Sequence, residues 1–257
     1  MNNKVKIGSV VLLVTVVGIL FSLPFIIDNS ENEEIKFIEL LGNYHLSQNE
    51  YMKFAHIEDH ETYSQLSSKI IKDRFEKHPY IKQVDILLSE NTLTIEIFEK
   101  NFEALLMTNG KEYLVSDVSI IIPKLLKSEK IDYPIISNPS NGADIIEFSR
   151  ANANNDVKIG MKIVAALKIL NPKWYDSLSE INLRDGKDIL LQFSNLNIPV
   201  VIGRDKEIEK LVLFEKLIKK LDFNKIESTL TYIDLRHSTF LYVGKSNSSN
   251  SEQESNS

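Results

Sequence analysis

The chain opens with an uncharged apolar run from Ile7 to Ile27, and no run of that length recurs after it. Twenty-one helical residues rise roughly 30 Å, the thickness of a bilayer's hydrocarbon core. Lys4 and Lys6 precede the run, while Asp28, Glu31, Glu33 and Glu34 follow it. The bias of positive charge toward the cytoplasm therefore predicts a single membrane helix with residues 1–6 inside and the bulk of the chain outside. The run is longer than the apolar part of a cleaved signal peptide, and no small-x-small cleavage pattern follows Phe25, so it reads as a retained anchor.

Beyond Asp28 the pattern shortens and alternates. Ile35–Leu41 predicts a strand ending at Gly42, and residues 49–54 a short polar helix. Leu66, Ile70, Ile71 and Phe75 fall at helical spacing, on a helix that Pro79 ends near Lys77. Ile81–Leu88 and Thr92–Phe98 have period-two character and are joined by Ser89-Glu90-Asn91, which predicts a hairpin. Strand, helix, helix, strand, strand makes a small α+β unit. After Asn101 strands dominate: Ala104–Met107, Tyr113–Val115, Ser119–Ile122, Ile181–Leu183, Ile189–Phe193, Val200–Ile202 and a last stretch Thr229–Val243. Pro134, Pro139 and Gly142 mark a loop. Two amphipathic helices interrupt the sheet. One carries Val157, Met161, Val164, Ala165, Leu167 and Leu170 and stops at Asn171-Pro172; the other runs from Lys206 to Lys220 with Ile208, Leu211, Val212, Phe214 and Ile218 on one face. Past Gly244 only polar residues remain, too few apolar groups to offset chain entropy, so a disordered tail is expected.

Composition narrows the chemistry. The net charge is −6 and the cations are dispersed among acids, so no phosphate-tracking surface is expected and nucleic acid is not a predicted partner. The chain has 0 cysteines, which excludes disulfides, thiolate nucleophiles and Cys-bound metals. Phosphate-loop glycines, a Gly-x-Ser-x-Gly elbow and a Ser-x-x-Lys motif are all missing, leaving no small-molecule substrate, catalytic residue or cofactor to predict. His56 and His60 with Glu58, Asp59 and Glu61 have ligand-like spacing, but the order is not His-Glu-x-x-His, so a solvated loop or helix start is the reading taken. Trp174 and Tyr175, a conceivable sugar platform, are expected to plug the core.

One resemblance spans nearly the whole chain. FIELLGNYHLSQNE, HPYIKQVDILLSENTLTIEIFEKNFEALL, KEYLVSD, VVIGRD and TYIDLRHSTFLYVG are similar to successive strings of the bacterial division protein family FtsQ, called DivIB in Gram-positive bacteria; Ile233-Asp234-Leu235-Arg236 is the most specific of them. The resemblance implies a cytoplasmic segment 1–6, a transmembrane helix 7–27, a POTRA-like domain 28–100, a sheet-rich β domain 101–244 and a polar tail 245–257. It implies a non-enzymatic scaffold, single-pass in the cytoplasmic (inner) membrane at the division site, that binds FtsB (DivIC)- and FtsL-like proteins outside the membrane and links them to septal wall synthases. The partner contact of the family maps to His237, Ser238, Thr239, Phe240, Leu241, Tyr242, Val243, Gly244 and Lys245. An edge strand there would offer its free N–H and C=O groups to a partner strand, with Phe240 and Tyr242 as anchors on one side. Relatives carry an aromatic where this chain has His237, and small residues where it has Thr239 and Phe240. The competing readings are a buried closing strand without a partner, a wall hydrolase with two carboxylates roughly 5–9.5 Å apart across a cleft, and a transport component with further POTRA repeats or a barrel.

Overall fold

The computed structural model describes residues 35–220, 230–237 and 242–245. The predicted anchor Ile7–Ile27 and the polar tail lie outside these residues; among the described residues no helix is long and apolar enough to cross a membrane. The chain divides into two compact units. The first holds the described residues up to Asn43 with Gln48–Phe98, and the second holds Tyr44–Ser47 with the residues from Glu99 onward.

The first unit runs β1 (Phe37–Leu41), α1 (Gln48–Phe54), α2 (His60–Tyr63), α3 (Ser68–Glu76), β2 (Ile81–Ser89) and β3 (Thr92–Glu99). The strands form a sheet in the order β1-β3-β2, with β1 parallel to β3 and Leu40 opposite Ile95. Gly42 ends β1 at a φ of +82°, where a Cβ would stand 2.1 Å from the Ile97 carbonyl oxygen, so only glycine passes. Helix α2 is absent from the sequence-based expectation. Asp59 of the His/acid cluster caps it, accepting from Thr62 N at 2.9 Å and Thr62 Oγ1 at 2.8 Å, and those bonds hold its carboxyl below the usual range. The cluster is a helix start. Ser67 caps α3, whose stripe is narrower than the spacing predicts: Ile71 and Phe75 are buried, but Ile70 is exposed and Leu66 precedes the helix.

The second unit contains β4 (Phe102–Thr108), β5 (Lys111–Ser116), β6 (Ile121–Pro123), β7 (Ile135–Ser137), α4 (Asn155–Leu170), α5 (Pro172–Ser177), β8 (Leu178–Asn182), β9 (Leu190–Phe193), β10 (Leu196–Val201), α6 (Glu207–Lys220), β11 (Leu230–Asp234) and β12 (Tyr242–Lys245). All nine strands join one sheet in the order β12-β11-β10-β9-β8-β7-β4-β5-β6. Two elements correct the sequence reading. The stretch between Pro134 and Pro139 is strand β7 and not a loop, held between β4 and β8 with Ile136 fully buried. Asn171-Pro172 stops α4 but also starts α5, because a proline at the first helical position gives up a donor that had no partner.

A buried row crosses seven strands, each residue in register with the next: Ile233, Val200, Leu191, Ile181, Ile136, Leu106 and Tyr113. Val157, Ile163, Val164 and Leu167 of α4 and Leu211 and Phe214 of α6 complete this core. Trp174 packs edge-on against Phe193 and Phe214 at centroid distances of 4.9 and 5.0 Å, half-buried against the same cluster as expected. Helix α4 approaches the sheet at Gly160, where a Cβ would lie 2.9 Å from Ile136 Cδ1. Pro199 occupies interior strand β10 because the register shifts between Leu196 and Val200, an irregularity that removes the need for its missing donor.

Two polar clasps pin chain segments to this unit. Glu99 accepts from Tyr44 N at 2.7 Å and His45 N at 3.1 Å and pairs with His45 Nδ1, while His45 Nε2 meets the Tyr133 hydroxyl at 2.9 Å. Burial first, then neighbouring phenols and carboxylates, push the Tyr133 hydroxyl up to about 12. At the other clasp Arg204 forks onto the buried Asp156 of α4 at 2.5 and 3.1 Å and donates to the carbonyls of Leu183 (2.6 Å) and Lys187. Burial alone would raise the Asp156 pKa, but the bonds from Arg204 and from Ser140 N (2.7 Å) outweigh it and hold the carboxyl below 3.8.

A carboxyl whose folded pKa lies below its unfolded value stabilises the fold at every pH above the unfolded value. That contribution is lost as pH falls from 3.8 through the lower folded value. Asp156→Asn, which strands the Arg204 charge, should cost about 3–5 kcal/mol in denaturant unfolding at neutral pH. The gap between wild type and variant should hold from pH 7 to 5 and shrink below about 4; a gap constant down to pH 2 would show that Asp156 is not ionised in the fold.

Candidate functional site

Strand β11 enters the sheet parallel to β10, with Ile233 beside Val200 and Asp234 beside Val201. The pairing continues one residue further, as Leu235 N donates to Val201 O at 2.8 Å and the Leu235 side chain is fully buried. The chain then turns. Asp234 makes the turn with its own carboxylate, whose Oδ1 accepts from Arg236 N at 2.9 Å, an Asx-type turn that replaces a strand bond with a side-chain bond. The Arg236 guanidinium closes on the same carboxylate, Nε at 3.0 Å and Nη2 at 2.6 Å, and its Nη1 reaches Asp188 Oδ2 at 2.8 Å. Asp188 lies just before β9, so one guanidinium ties the turn to a strand two places away in the sheet.

The hydrogen bond from Arg236 is the largest influence on Asp234 and lowers its pKa against the opposing effect of burial. Arg236 is raised in turn by its bonds to Asp234 and Asp188. The loop ahead of α6 meets the turn from the other side. Gly203, at a φ of +67°, would carry a Cβ 3.3 Å from Arg236 Cγ and 3.6 Å from Lys210 Nζ. Lys210 is wholly buried, and its ammonium ends 2.7 Å from the exposed Asp205. Asp188, Asp234 and Arg236 thus satisfy one another at the corner.

Past the turn, β12 runs antiparallel to β11, with Tyr242 opposite Asp234, Val243 opposite Ile233 and Gly244 opposite Tyr232. It is the terminal strand of the sheet, with β11 as its one neighbour among the described residues. Val243 continues the buried core row but is 37% exposed, and Tyr242 on the opposite face is 52% exposed. His237 meets Tyr242 edge-on at 5.6 Å, setting the residue after Arg236 against the start of β12. Gly244 lies under the Tyr232 ring: a Cβ there would be 2.4 Å from Tyr232 Cε1 and 2.2 Å from Thr231 Oγ1. An aromatic on the neighbouring strand covers a glycine at the sheet's end, restoring contact that the missing side chain would have made.

Of the nine residues expected at the partner site, His237, Tyr242, Val243, Gly244 and Lys245 are brought together at this corner and edge. Ser238, Thr239, Phe240 and Leu241 lie outside the described residues. Sequence reasoning missed Asp188, Gly203, Arg204 and Tyr232 as members of the corner. Among the described residues no group of three or more His, Cys, Asp or Glu side chains is placed to hold a metal ion.

Comparisons with known proteins point to one family. The family model described as "Cell division protein FtsQ/DivIB, C-terminal" matches residues 104–236, and that described as "POTRA domain, FtsQ-type" matches residues 34–100. The chain is similar to "Cell division protein FtsQ" of Syntrophotalea carbinolica, with 24% identity over 200 residues, covering 75% of this chain and 67% of that one.

Gly244→Ala should lower stability by about 1–3 kcal/mol through overpacking against Tyr232. In a Tyr232→Ala background the cost should fall, since the ring is one of the two groups in the way; equal costs in both backgrounds would show that the ring does not lie over Gly244 in solution.

Proposed function

The chain belongs to the FtsQ/DivIB family of bacterial cell division proteins, and we propose from that membership that it is a non-enzymatic scaffold of the divisome, its anchor Ile7–Ile27 in the cytoplasmic membrane at the division site and its two domains outside. The observation that supports this reading best is the position of β12 at the end of the nine-stranded sheet, with Tyr242 and Val243 half-exposed on opposite faces. A terminal strand presents alternate backbone groups to whatever lies beside it, and a partner strand adds to it without altering the sheet behind. The partners proposed are FtsB (DivIC)- and FtsL-like proteins, which such a scaffold would connect to the septal wall synthases. The binding residues proposed are His237 to Lys245.

The edge is prepared before the partner arrives. Arg236 and Asp234 fix the turn, Leu235 anchors it in the core, and Tyr232 stiffens the strand at Gly244. A strand already in extended form gives up less conformational entropy on pairing than a loop would. Tyr242 supplies apolar area with a hydroxyl at its end, a combination that suits an interface anchor.

Neighbouring residues of an antiparallel strand direct their N–H groups to opposite sides, so one of Tyr242 and Val243 donates toward β11 and the other outward. Proline at the outward position should leave the melting temperature of the protein nearly unchanged and abolish binding of an FtsB-like partner. Tyr242→Ala should weaken that binding by about 1–3 kcal/mol. Undiminished binding by a folded proline variant at the outward position, or unfolding by Tyr242→Ala, would make β12 a closing strand only.

A further inference from the structure

In the small sheet of the first unit, α3 packs on β2 with α1 against α3, and the opposite face is open among the described residues. Leu93, Ile95 and Ile97 of β3 are buried with Leu40 of β1, Val84 of β2, and Ile71 and Phe75 of α3. By strand alternation the opposite face carries Phe37, Glu39 and Leu41 on β1, Asp85 and Leu87 on β2, and Glu96 and Phe98 on β3. Four large apolar side chains stand exposed there: Phe37 at 65%, Leu41 at 44%, Leu87 at 66% and Phe98 at 42%. Single exposed apolar residues are ordinary, but several on one rigid sheet face are not. The charges on this face have one sign. Glu39, Asp85 and Glu96 are all exposed, and among the described residues no Lys or Arg holds an outward strand position.

We propose that this face is a docking surface for an amphipathic helix of another protein, apolar along one stripe and flanked by Lys or Arg. The spacing supports a helix. Phe37 and Leu41 lie four residues apart on β1, about 13 Å at strand rise, with Phe98 two residues beyond Glu96, the register partner of Leu41. Apolar residues at i and i+7 or i+8 of a helix are about 10–12 Å apart, so one stripe spans both ends of the face. Between those ends lie Glu39 and Glu96, level with Thr94 and Leu41 in the register. Basic residues flanking the helix stripe would meet them there. The same carboxylates exclude the other occupants. A second copy docked face to face would oppose acid to acid, and an anionic lipid surface would be repelled. The inference is independent of the β12 edge, which belongs to the other unit.

The test places a photo-crosslinking benzophenone residue at Phe37 or Leu87 of the full chain in its own cells, with Ile169, exposed on α4 of the second unit, as control. The expected result is an adduct whose captured peptide carries apolar residues at helical spacing flanked by Lys or Arg. Its yield should drop at least tenfold in a Glu39→Lys, Glu96→Lys background whose melting temperature and β12 partner binding are unchanged. Should that pair of substitutions unfold the protein, Glu39→Gln with Glu96→Gln serves instead and should lower the yield severalfold. An adduct with a second copy, with lipid, or with a peptide lacking basic residues would overturn the proposal, as would a yield no higher than at Ile169 or one indifferent to the charge change. Loss of β12 binding with this adduct retained would instead tell against the edge reading alone.

Discussion

The carboxylate of Asp234 does two jobs that compete in most strands: it sits in the sheet, nearly buried, and it turns the chain out of it. A buried carboxylate is unfavourable by several kcal/mol unless its lone pairs are filled. Here Arg236 fills them from two sides, through its backbone N–H and its guanidinium, and the remaining guanidinium nitrogen is held by Asp188. The lowered pKa of Asp234 records the result. Without that closed set of bonds, β11 would end in an unpaired acid beside Val201, and the chain would have no fixed point from which to return as β12. The edge strand and its orientation depend on this one exchange of hydrogen bonds.

A second ion pair supports the first from behind. Arg204 follows Gly203, whose missing side chain leaves room for Arg236, and reaches across to Asp156 at the start of α4 and to the carbonyls of the turn between β8 and β9. Asp188 lies on that same turn. The loop after β10, the turn before β9 and the end of β11 are therefore tied by side chains at the same end of neighbouring strands. Mutual pairing satisfies these charges, and beside them the corner presents the backbone of β12 and the half-exposed ring of Tyr242.

Much of this was legible in the sequence, for identifiable reasons. Period-two runs such as Thr92–Phe98 and the stripe Val157–Leu167 became strand β3 and helix α4 because their apolar spacing was strong enough to decide the period. Strand β7 was not legible, since its three residues, Ile135–Ser137, are too few to show a periodicity, and only pairing with β4 and β8 on both sides makes them a strand. Helix α5 was hidden because a proline after an asparagine signals a stop and a start with the same letters. Ile70 and Ile208 were counted on buried stripes and lie outside them, the stripes being wider in sequence than the surface they cover. The Ile-Asp-Leu-Arg string located the corner by resemblance, but its partners did not follow: Asp156 and Arg204 are 48 residues apart, and nothing local in either segment points to the other.

Backbone hydrogen exchange on the full chain, free and mixed with an FtsB-like protein from the same cell, tests most directly whether β12 takes a partner strand. The amide of β12 pointing outward, either Tyr242 or Val243, should gain strong protection on mixing, while amides of β6 at the opposite end of the sheet are unchanged. Protection that appears at β6 or in the first unit, with β12 exchanging as in the free protein, would contradict that pairing.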